Sequence, residues 1–571
     1  MNTVWYGLGS NCKRILHSTF QARKARFWIK ARLVAAAAIA VVHAFAVFAQ
    51  SAPPPASDPL KQHYSAAAAF LSRGDQKDAA PEYQAFLSGA LHRAANANAQ
   101  IGETQRALDL FTQALEFDNR DAALLEDFAS LRFDHDELPE AEALLNSALA
   151  LHADDLRAHF LLGRVLFNEE KYLAAQPHLE LEWTRGQTEY KDAWYLLGVT
   201  ELKLQQLISA QELFKKALLR LGDKAGTHVR LGRAYYTGDY PDEAVVEFKK
   251  AIALDRKGLG QHYWLGLAYL GHNPEAGYAR AEPEFRAELA LAPSDFGSHY
   301  MLGYIALKQS RMAEAEKEIT RALSLKPEDP SALLLAAELF SGTARDAQAE
   351  PLLRKAISAL GTSSPPKYDA IRAHYMLGRL LQRTGQQEEA GKELALSEQL
   401  RKQLRDASGS TPKDRTAQGP QQNQSSEDMP RPATAEERAQ AAAFIHQLSP
   451  PIALAFNNLG VIAANQHQCP ACVNDFHRAG EWDPSLEGLD RNLGRAAFLC
   501  NQYEQAVPPL SRYLKQHSDD VGVRSALGLS LFRLGQYENV VEVLGPIQAS
   551  IQSNPELAAA YATSVSKVEK K

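Results

Sequence analysis

The chain has 571 residues, of which 45% are apolar and 23% are charged, an ordinary composition for a soluble protein. Its formal net charge is −6. The first 49 residues hold seven basic residues and no acidic one, so without them 55 basic residues face 68 acidic ones, a net charge near −13. This balance disfavours nucleic acid as a partner, because phosphate binding needs a concentrated positive surface.

Residues 1–49 are predicted to be a signal peptide. Their basic leader precedes an apolar stretch from Leu33 to Ala49 that only His43 interrupts, and Val47 and Ala49 place small residues before a cleavage point. The alternative is an uncleaved signal anchor, for which 17 apolar residues are short. Residues 50–62 are predicted to be a flexible exit segment. The expected location is the periplasm or cell envelope, with secretion as an alternative.

The next feature along the chain is a glycine that recurs about every 34 residues, usually after a leucine. A fixed period of roughly 20–50 residues indicates a stack of similar helical or strand units. Around Gly232, the residues His228, Leu231 and Tyr235 fall on one side of a first helix. A turn follows, and then Phe248 lies on one face of a second helix between small residues. The recurrent glycines are Gly163, Gly198, Gly232, Gly266, Gly303, Gly378, Gly460, Gly494 and Gly528.

These residues resemble the tetratricopeptide repeat, whose pattern is an aromatic residue, Leu-Gly, Tyr, Ala, Phe, Ala and Pro. The unit with Trp194, Leu197, Gly198, Ala210, Phe214 and Ala217 fits this pattern, and other units fit it in register. The resemblance implies an all-α fold, a right-handed α-solenoid of about 12–13 helix-turn-helix repeats. The cost of a glycine in a helix, about 1 kcal/mol against alanine, predicts a packing reason for its recurrence.

The repeat pattern divides the chain into two blocks. Residues 63–404 are predicted to form an N-terminal array. Residues 405–433 are rich in Ser, Gln, Pro and charge and are predicted to be a disordered linker. Residues 434–571 are predicted to form a C-terminal block, whose first helix starts at a capping box, Thr434 to Glu437, and ends at Pro450. A last helix is expected from about Asn554.

No catalytic motif, phosphate-binding loop or metal-ligand spacing stands out, so no enzyme activity, cofactor or metal is predicted. Cys469 and Cys472 have the spacing of a redox motif, but such a motif belongs beside a strand and none is predicted. Cys472 occupies a position where the repeat requires a small residue. Free thiols and a disulfide of Cys500 with Cys469 or Cys472 both remain open.

The resemblance also implies a partner-binding groove on the concave side of the first helices. The repeat positions that usually face this groove hold aromatic and arginine residues, which are enriched at binding hot spots. The alternative is that the aromatic residues pack between neighbouring helices. The predicted groove residues are Phe160, Arg164, Tyr195, Arg233, Tyr236, Tyr263, Tyr300, Tyr304, Tyr375 and Arg379.

The resulting functional hypothesis is a non-catalytic scaffold whose groove binds a segment of a partner protein. The alternative hypothesis is a scaffold for polysaccharide export or assembly, since aromatic grooves also stack on sugar rings. Membrane attachment is expected only if residues 1–49 remain as an anchor.

Overall fold

The computed structural model describes residues 58–185, 192–271, 273–361, 368–408 and 433–570. The predicted signal, residues 50–57 of the exit segment and residues 409–432 of the predicted linker lie outside these ranges. Within them the chain forms α-helices and one short 3-10 turn, with no strand. The predicted all-α repeat fold is therefore confirmed. The described helices include none that is long and apolar enough to span a bilayer.

The described residues form two compact units. The second unit is continuous in sequence and consists of consecutive antiparallel helix pairs, each with a first helix, a tight turn and a second helix. Its helices are α4 (Ala122–Asp134), α5 (Leu138–Leu151), α6 (Leu156–Asn168), α7 (Tyr172–Arg185), α8 (Ala193–Lys203), α9 (Leu207–Leu221), α10 (Ala225–Thr237), α11 (Pro241–Leu254), α12 (Gln261–Leu270), α13 (Pro274–Leu291), α14 (Phe296–Lys308), α15 (Met312–Leu325), α16 (Pro330–Gly342), α17 (Asp346–Leu360), α18 (Tyr368–Arg383) and α19 (Gln387–Ser408).

The first unit is discontinuous in sequence, because it joins residues up to Asn119 with residues from Ala435 onward. Its helices are α1 (Pro59–Ser72), α2 (Gln76–Gln100), α3 (Thr104–Phe117), α20 (Ala435–Asn465), α21 (Ala471–Trp482), α22 (Leu489–Leu499), α23 (Tyr503–Gln516), α24 (Val521–Arg533), α25 (Tyr537–Leu544), α26 (Gln548–Ile551) and α27 (Pro555–Glu569). The last of these begins where the sequence predicts, since the side chain of Asn554 caps it.

The recurrent glycine allows the two helices of a pair to approach closely. A Cβ atom built on Gly198 would lie 2.1 Å from Cε1 of Phe214, and one on Gly163 would lie 2.6 Å from Cδ2 of Leu179. The same clash with a large side chain of the second helix occurs at each of the nine recurrent glycines. Because only hydrogen fits there, the predicted packing reason for the glycine is confirmed.

The turn inside most pairs repeats a second backbone feature. The seventh residue after the recurrent glycine has a positive φ in eight of the nine repeats, as in Glu170 at 59° and Gly385 at 84°, and the exception is Asn273 at −129°. This left-handed residue reverses the chain in a short distance, although a side chain makes that conformation costly. The equivalent residues in other pairs are Gln205, Asp239, Ser310, His467, Asn501 and Gly535.

Several first helices begin after an aspartate. The carboxylate of Asp155 accepts hydrogen bonds from the backbone N–H groups of Arg157 and Ala158, and so satisfies donors that have no partner inside the helix. Asp121, Asp295, Asp329 and Asp520 cap their helices in the same way. These caps mark where each new pair starts.

In the first unit, the C-terminal helices pack directly on the N-terminal ones. The amide of Asn458 donates a 2.8 Å hydrogen bond to the hydroxyl of Tyr83, 375 residues earlier in the chain. The rings of Phe117 and Phe456 lie 5.8 Å apart, and Phe456 is fully buried. The grouping therefore differs from the predicted array over residues 63–404, because the first three helices belong with the C-terminal block.

Three local boundaries also differ from the sequence-based expectations. Helix α1 begins at Pro59, inside the predicted exit segment, and α19 continues to Ser408, inside the predicted linker. Pro450 and Pro451 do not end a helix, since α20 runs through both of them. The apolar residues that follow, such as Ile452 and Ala455, are buried, and their packing favours continuing the helix despite two missing N–H donors.

Candidate partner-binding surface

Four of the ten predicted groove residues are buried. Tyr263 and Tyr300 are each 1% exposed, and Phe160 and Tyr304 are 7% and 6% exposed. Tyr263 and Tyr300 pack in one apolar cluster that joins helices of neighbouring pairs. The prediction that these four side chains line an open groove is therefore wrong, and the alternative interpretation of packing between helices holds for them.

Tyr375 occupies the same repeat position as Tyr263 and Tyr300 but is 48% exposed. Its helix, α18, belongs to the last pair of the second unit, so no later pair of that unit covers the position. Arg379, one turn further along, is also exposed and donates a hydrogen bond to the side chain of Gln382. Tyrosines at one repeat position therefore differ in exposure, and the most exposed of these three lies in the pair that has no successor in its unit.

Arg164, Tyr195, Arg233 and Tyr236 are partly exposed, as a binding residue must be. Arg164 lies over the ring of Phe133 on the preceding first helix, with 4.6 Å from Cζ to the ring centroid. It also approaches Phe160. Tyr195 packs edge-on against Trp194.

Arg233 and Tyr236 meet around an aromatic residue that the sequence analysis does not single out. Cζ of Arg233 lies 5.0 Å from the ring centroid of Trp264, and the ring of Tyr236 packs against the same indole at 5.9 Å and 68°. Arg233 and Tyr236 come from α10, and Trp264 comes from α12 in the next pair. We call these three partly exposed side chains the Arg233 cluster. In the sequence, Trp264 could have been found because it directly follows Tyr263, a predicted groove residue.

The guanidinium of Arg233 has no carboxylate partner among the described residues, and its Nε is buried without a hydrogen-bond acceptor. Two other arginines of first helices differ in this respect, because Arg230 on the same helix pairs with Asp192, and Arg372 on α18 pairs with Glu338. A stacked guanidinium retains its charge and its planar donors. Arg233 is therefore positioned to donate hydrogen bonds to an oxygen atom of a ligand.

Tyr236 adds a hydroxyl donor to this cluster. Burial, with a smaller effect of Asp239, raises the pKa of the Tyr236 phenol above its usual range. The phenol therefore stays protonated at neutral pH and can donate a hydrogen bond. The Arg233 cluster thus presents a cation and a phenolic donor beside a partly exposed indole ring, a combination suited to a peptide carbonyl or carboxylate beside an apolar group.

Family models of the tetratricopeptide repeat match residues 126–181, 225–257 and 275–332. These ranges lie in the second unit and contain most or all of the pairs that hold Gly163, Gly232 and Gly303. The chain is a tetratricopeptide repeat protein. Repeats of this family bind other proteins, so its general role is that of a protein-interaction scaffold.

The solved structures that are similar to this repeat protein share little sequence with it. MamA residues 41-end from Desulfovibrio magneticus is 22% identical, with a TM-score of 0.28, and the match covers 32% of this chain and 97% of that one. A tetratricopeptide repeat protein from Parabacteroides merdae is 12% identical, with a TM-score of 0.34, covering 57% and 100%. Yeast Tom70 is 14% identical, with a TM-score of 0.27, covering 75% and 99%. No curated protein matches the chain.

Histidines of the first helices connect the two helices within a tetratricopeptide repeat. Nδ1 of His299 lies 2.6 Å from a carboxylate oxygen of Glu318, and His374 pairs in the same way with Glu393. Pairs of this kind also join His63 to Glu82, His228 to Glu247 and His262 to Glu284. These histidines therefore have a structural role, since each one contacts a glutamate of its own helix pair.

The three cysteines of the C-terminal repeats lie together. Cys469 and Cys500 form a disulfide, which joins the turn after α20 to the end of α22. Cys472 is a buried free thiol. The structure thus selects one of the two disulfides that the sequence left open, and it keeps Cys472 at the small-residue position of its repeat.

Proposed function

We propose that this chain is a non-catalytic scaffold that binds a segment of a partner protein on the first helices of its second unit. The observation that carries the proposal is the Arg233 guanidinium, which stacks on Trp264 and has no carboxylate partner among the described residues. The Nε of this guanidinium is buried without an acceptor, and a polar group that has lost water is stabilised when a ligand oxygen accepts a hydrogen bond from the same guanidinium.

The chemistry of the Arg233 cluster indicates what part of a partner it binds. A carboxylate or a backbone carbonyl would accept from the guanidinium of Arg233, and an apolar side chain would pack on Tyr236 and Trp264. Because the contact is charged and partly exposed, affinity should fall with added salt. The proposed ligand is a peptide segment with an acidic residue next to an apolar one, in an extended or helical conformation.

Two variants test this assignment. Arg233→Gln removes the charge at the cluster and keeps a similar side-chain length. Arg220→Gln is the matched control, since Cζ of Arg220 lies 5.0 Å from the ring centroid of Trp183 on second helices. Wild type and both variants are immobilised and exposed to envelope extract, and retained proteins are quantified by mass spectrometry. Overlapping peptides of each retained protein are then titrated by fluorescence anisotropy.

The proposal predicts a protein that wild type and Arg220→Gln retain equally and that Arg233→Gln loses by about tenfold, the usual effect of removing a charged hot-spot contact. A bound peptide with an acidic and an apolar residue would support it further. Equal retention of every protein by the two variants would show that the cluster binds no protein. Glycan-array binding that depends on Arg233, without a protein ligand, would favour the polysaccharide scaffold instead.

We also propose that the scaffold acts in the cell envelope. The support is the sequence of residues 1–49, with a basic leader before an apolar stretch. Fractionation of cells that express the full chain tests the location. N-terminal sequencing of the exported form distinguishes cleavage near Ala49 from an intact anchor.

A further inference from the structure

We propose that the Cys472 thiol exchanges with the Cys469–Cys500 disulfide and so releases Cys469 as a reactive thiol on the protein surface. That thiol would capture a partner protein through the partner's own disulfide. The proposal concerns the C-terminal repeats and is independent of the Arg233 cluster.

The first argument is the position of the three sulfur atoms. The Sγ atoms of Cys469, Cys472 and Cys500 all lie within 4.8 Å of one another. Sγ of Cys472 is 3.7 Å from Sγ of Cys500, which is contact distance for two sulfur atoms. A thiol in contact with a disulfide sulfur is the starting arrangement of thiol–disulfide exchange.

The second argument is the difference in exposure. Cys472 is 1% exposed in α21, whereas Cys469 is exposed in the turn before that helix, and Cys500 is partly buried at the end of α22. A free thiol at Cys472 is therefore inaccessible to a large reagent. A free thiol at Cys469 is accessible, so exchange changes the surface chemistry without any change in the number of thiols.

The exchange balances without an external oxidant or reductant. Cys472 loses its proton to water, and its sulfur forms a bond to Sγ of Cys500. The bond between Cys469 and Cys500 breaks, and its electron pair leaves with the sulfur of Cys469, which takes a proton from water. One thiol and one disulfide are present before and after the step.

Solvation favours a thiolate at Cys469 over one at Cys472. Burial raises the pKa of the Cys472 thiol above its usual value, so its thiolate is disfavoured. Water can stabilise a thiolate at the exposed Cys469. The reactive species therefore forms preferentially at the surface. There it would attack one sulfur of a partner disulfide, forming a mixed disulfide and releasing the other partner sulfur as a thiolate.

Alkylation of the oxidised full chain tests the proposal. The native protein is incubated with N-ethylmaleimide without reductant, sampled over time, digested under non-reducing conditions and mapped by mass spectrometry, with any label on Cys12 assigned separately. The expected product carries maleimide on Cys469 and a disulfide between Cys472 and Cys500. Native protein with maleimide on Cys472, or with the Cys469–Cys500 disulfide intact at every time point, would overturn the proposal.

Two variants separate exchange from simple opening of the structure. Cys472→Ala introduces alanine, the common residue at this repeat position, so the variant should fold. It should reduce labelling of Cys469 by about tenfold or more. Cys469→Ser should form the Cys472–Cys500 disulfide during oxidative folding, and two free thiols in that variant would contradict the proposal. Glutathione disulfide then serves as the probe for capture, and the expected mixed disulfide is on Cys469 in wild type and absent in Cys472→Ala.

Discussion

A Cβ atom on Gly232 would lie 2.6 Å from Cε1 of Phe248, closer than two packed carbon atoms can approach. Gly232 is on the first helix of its repeat and Phe248 on the second, and both are buried. The contact sets the distance between the two helices. Any side chain at residue 232 must push α10 and α11 apart.

We expect Gly232→Ala to lower the free energy of unfolding by about 1–3 kcal/mol, the usual cost of overpacking. Gly226→Ala is the matched control in the same helix, because a Cβ there would meet nothing within 4 Å. That change should be neutral or slightly stabilising through helix propensity. Urea unfolding followed by circular dichroism measures both. Equal effects of the two substitutions would show that the contact with Phe248 does not limit the helix spacing.

The left-handed turn residues give an opposite prediction. Glu170 has a φ of 59°, and its side chain makes that conformation costly. Glu170→Gly should therefore raise the free energy of unfolding by about 1 kcal/mol. Gly385→Ala, at the equivalent turn, should lower it by about the same amount. If Glu170→Gly destabilises the protein, a contact of the glutamate and not the backbone conformation dominates at this turn.

His159 and His178 occupy the positions of the histidine–glutamate pairs, but here two histidines meet, with their Nδ1 atoms 2.7 Å apart. Burial, with a smaller effect of His159, lowers the pKa of His178. When the pKa of a histidine is lower in the folded state than in the unfolded state, the protein loses stability as the pH falls below the unfolded pKa of about 6.5. The wild-type free energy of unfolding should therefore decrease as the pH falls below about 6.5.

His178→Glu should remove this loss and add the pair found in other repeats, a gain of about 1 kcal/mol at pH 5.5. Thermal melts at pH 7.5 and pH 5.5 measure the change. His152→Glu is the control, because His152 is exposed just after α5. A pH dependence that His178→Glu leaves unaltered would show that other groups cause it.

Tyr263 should behave as a core residue. It is 1% exposed and its hydroxyl has no hydrogen-bond partner among the described residues. Tyr263→Ala should cost about 3–5 kcal/mol, as truncation of a buried aromatic residue does. Tyr263→Phe should be neutral or stabilising, because it removes only an unsatisfied hydroxyl. Tyr375→Ala, at the exposed equivalent position, should change stability by less than about 0.5 kcal/mol. Calorimetry measures these changes, and an unchanged free energy of unfolding for Tyr263→Ala would contradict the packing of Tyr263 in the core.

The discontinuous first unit predicts that two fragments associate. Residues 433–570 alone lack the cover that Phe117 and Tyr83 give to α20, so this fragment should melt at a lower temperature than the unit as a whole. Adding a fragment of residues 58–119 should raise its melting temperature in a concentration-dependent way. Isothermal titration should detect the complex, and Phe117→Ala in the shorter fragment should weaken it. If the two fragments do not bind, the contacts between α2–α3 and α20 are not strong enough to hold this unit together without a covalent connection.

The sequence predicts the helix pairs well, because the glycine and its partner on the second helix, sixteen residues later in eight of the nine repeats, are close along the chain. It also predicts the start of the last helix at Asn554, whose side chain caps it. It does not predict the length of α13, which has 18 residues from Pro274 to Leu291. There Gly277 lies against the backbone oxygen of Tyr269, a contact between helices that no local pattern shows.

The candidate site is predicted less well than the fold. Repeat position identifies Arg233 and Tyr236, yet the same reasoning places Tyr263 and Tyr300 on the surface. Burial at that position depends on the next repeat, and a pattern within one repeat does not contain this information. The Arg233 cluster also depends on Trp264 from the following repeat. For the same reason, the sequence does not predict that Asn458 meets Tyr83.

The contact of Asn458 with Tyr83 spans 375 residues of chain. Ribosomes make the helix that holds Tyr83 early and the helix that holds Asn458 late. During synthesis α2 therefore lacks the packing of α20 until the C-terminal repeats exist. Contacts of such long sequence separation form slowly, because a long loop must close first. A chain that is cut short keeps an apolar surface uncovered around Phe117. A truncated chain therefore differs from a complete one by an exposed apolar surface, which is the kind of surface that chaperones and proteases act on.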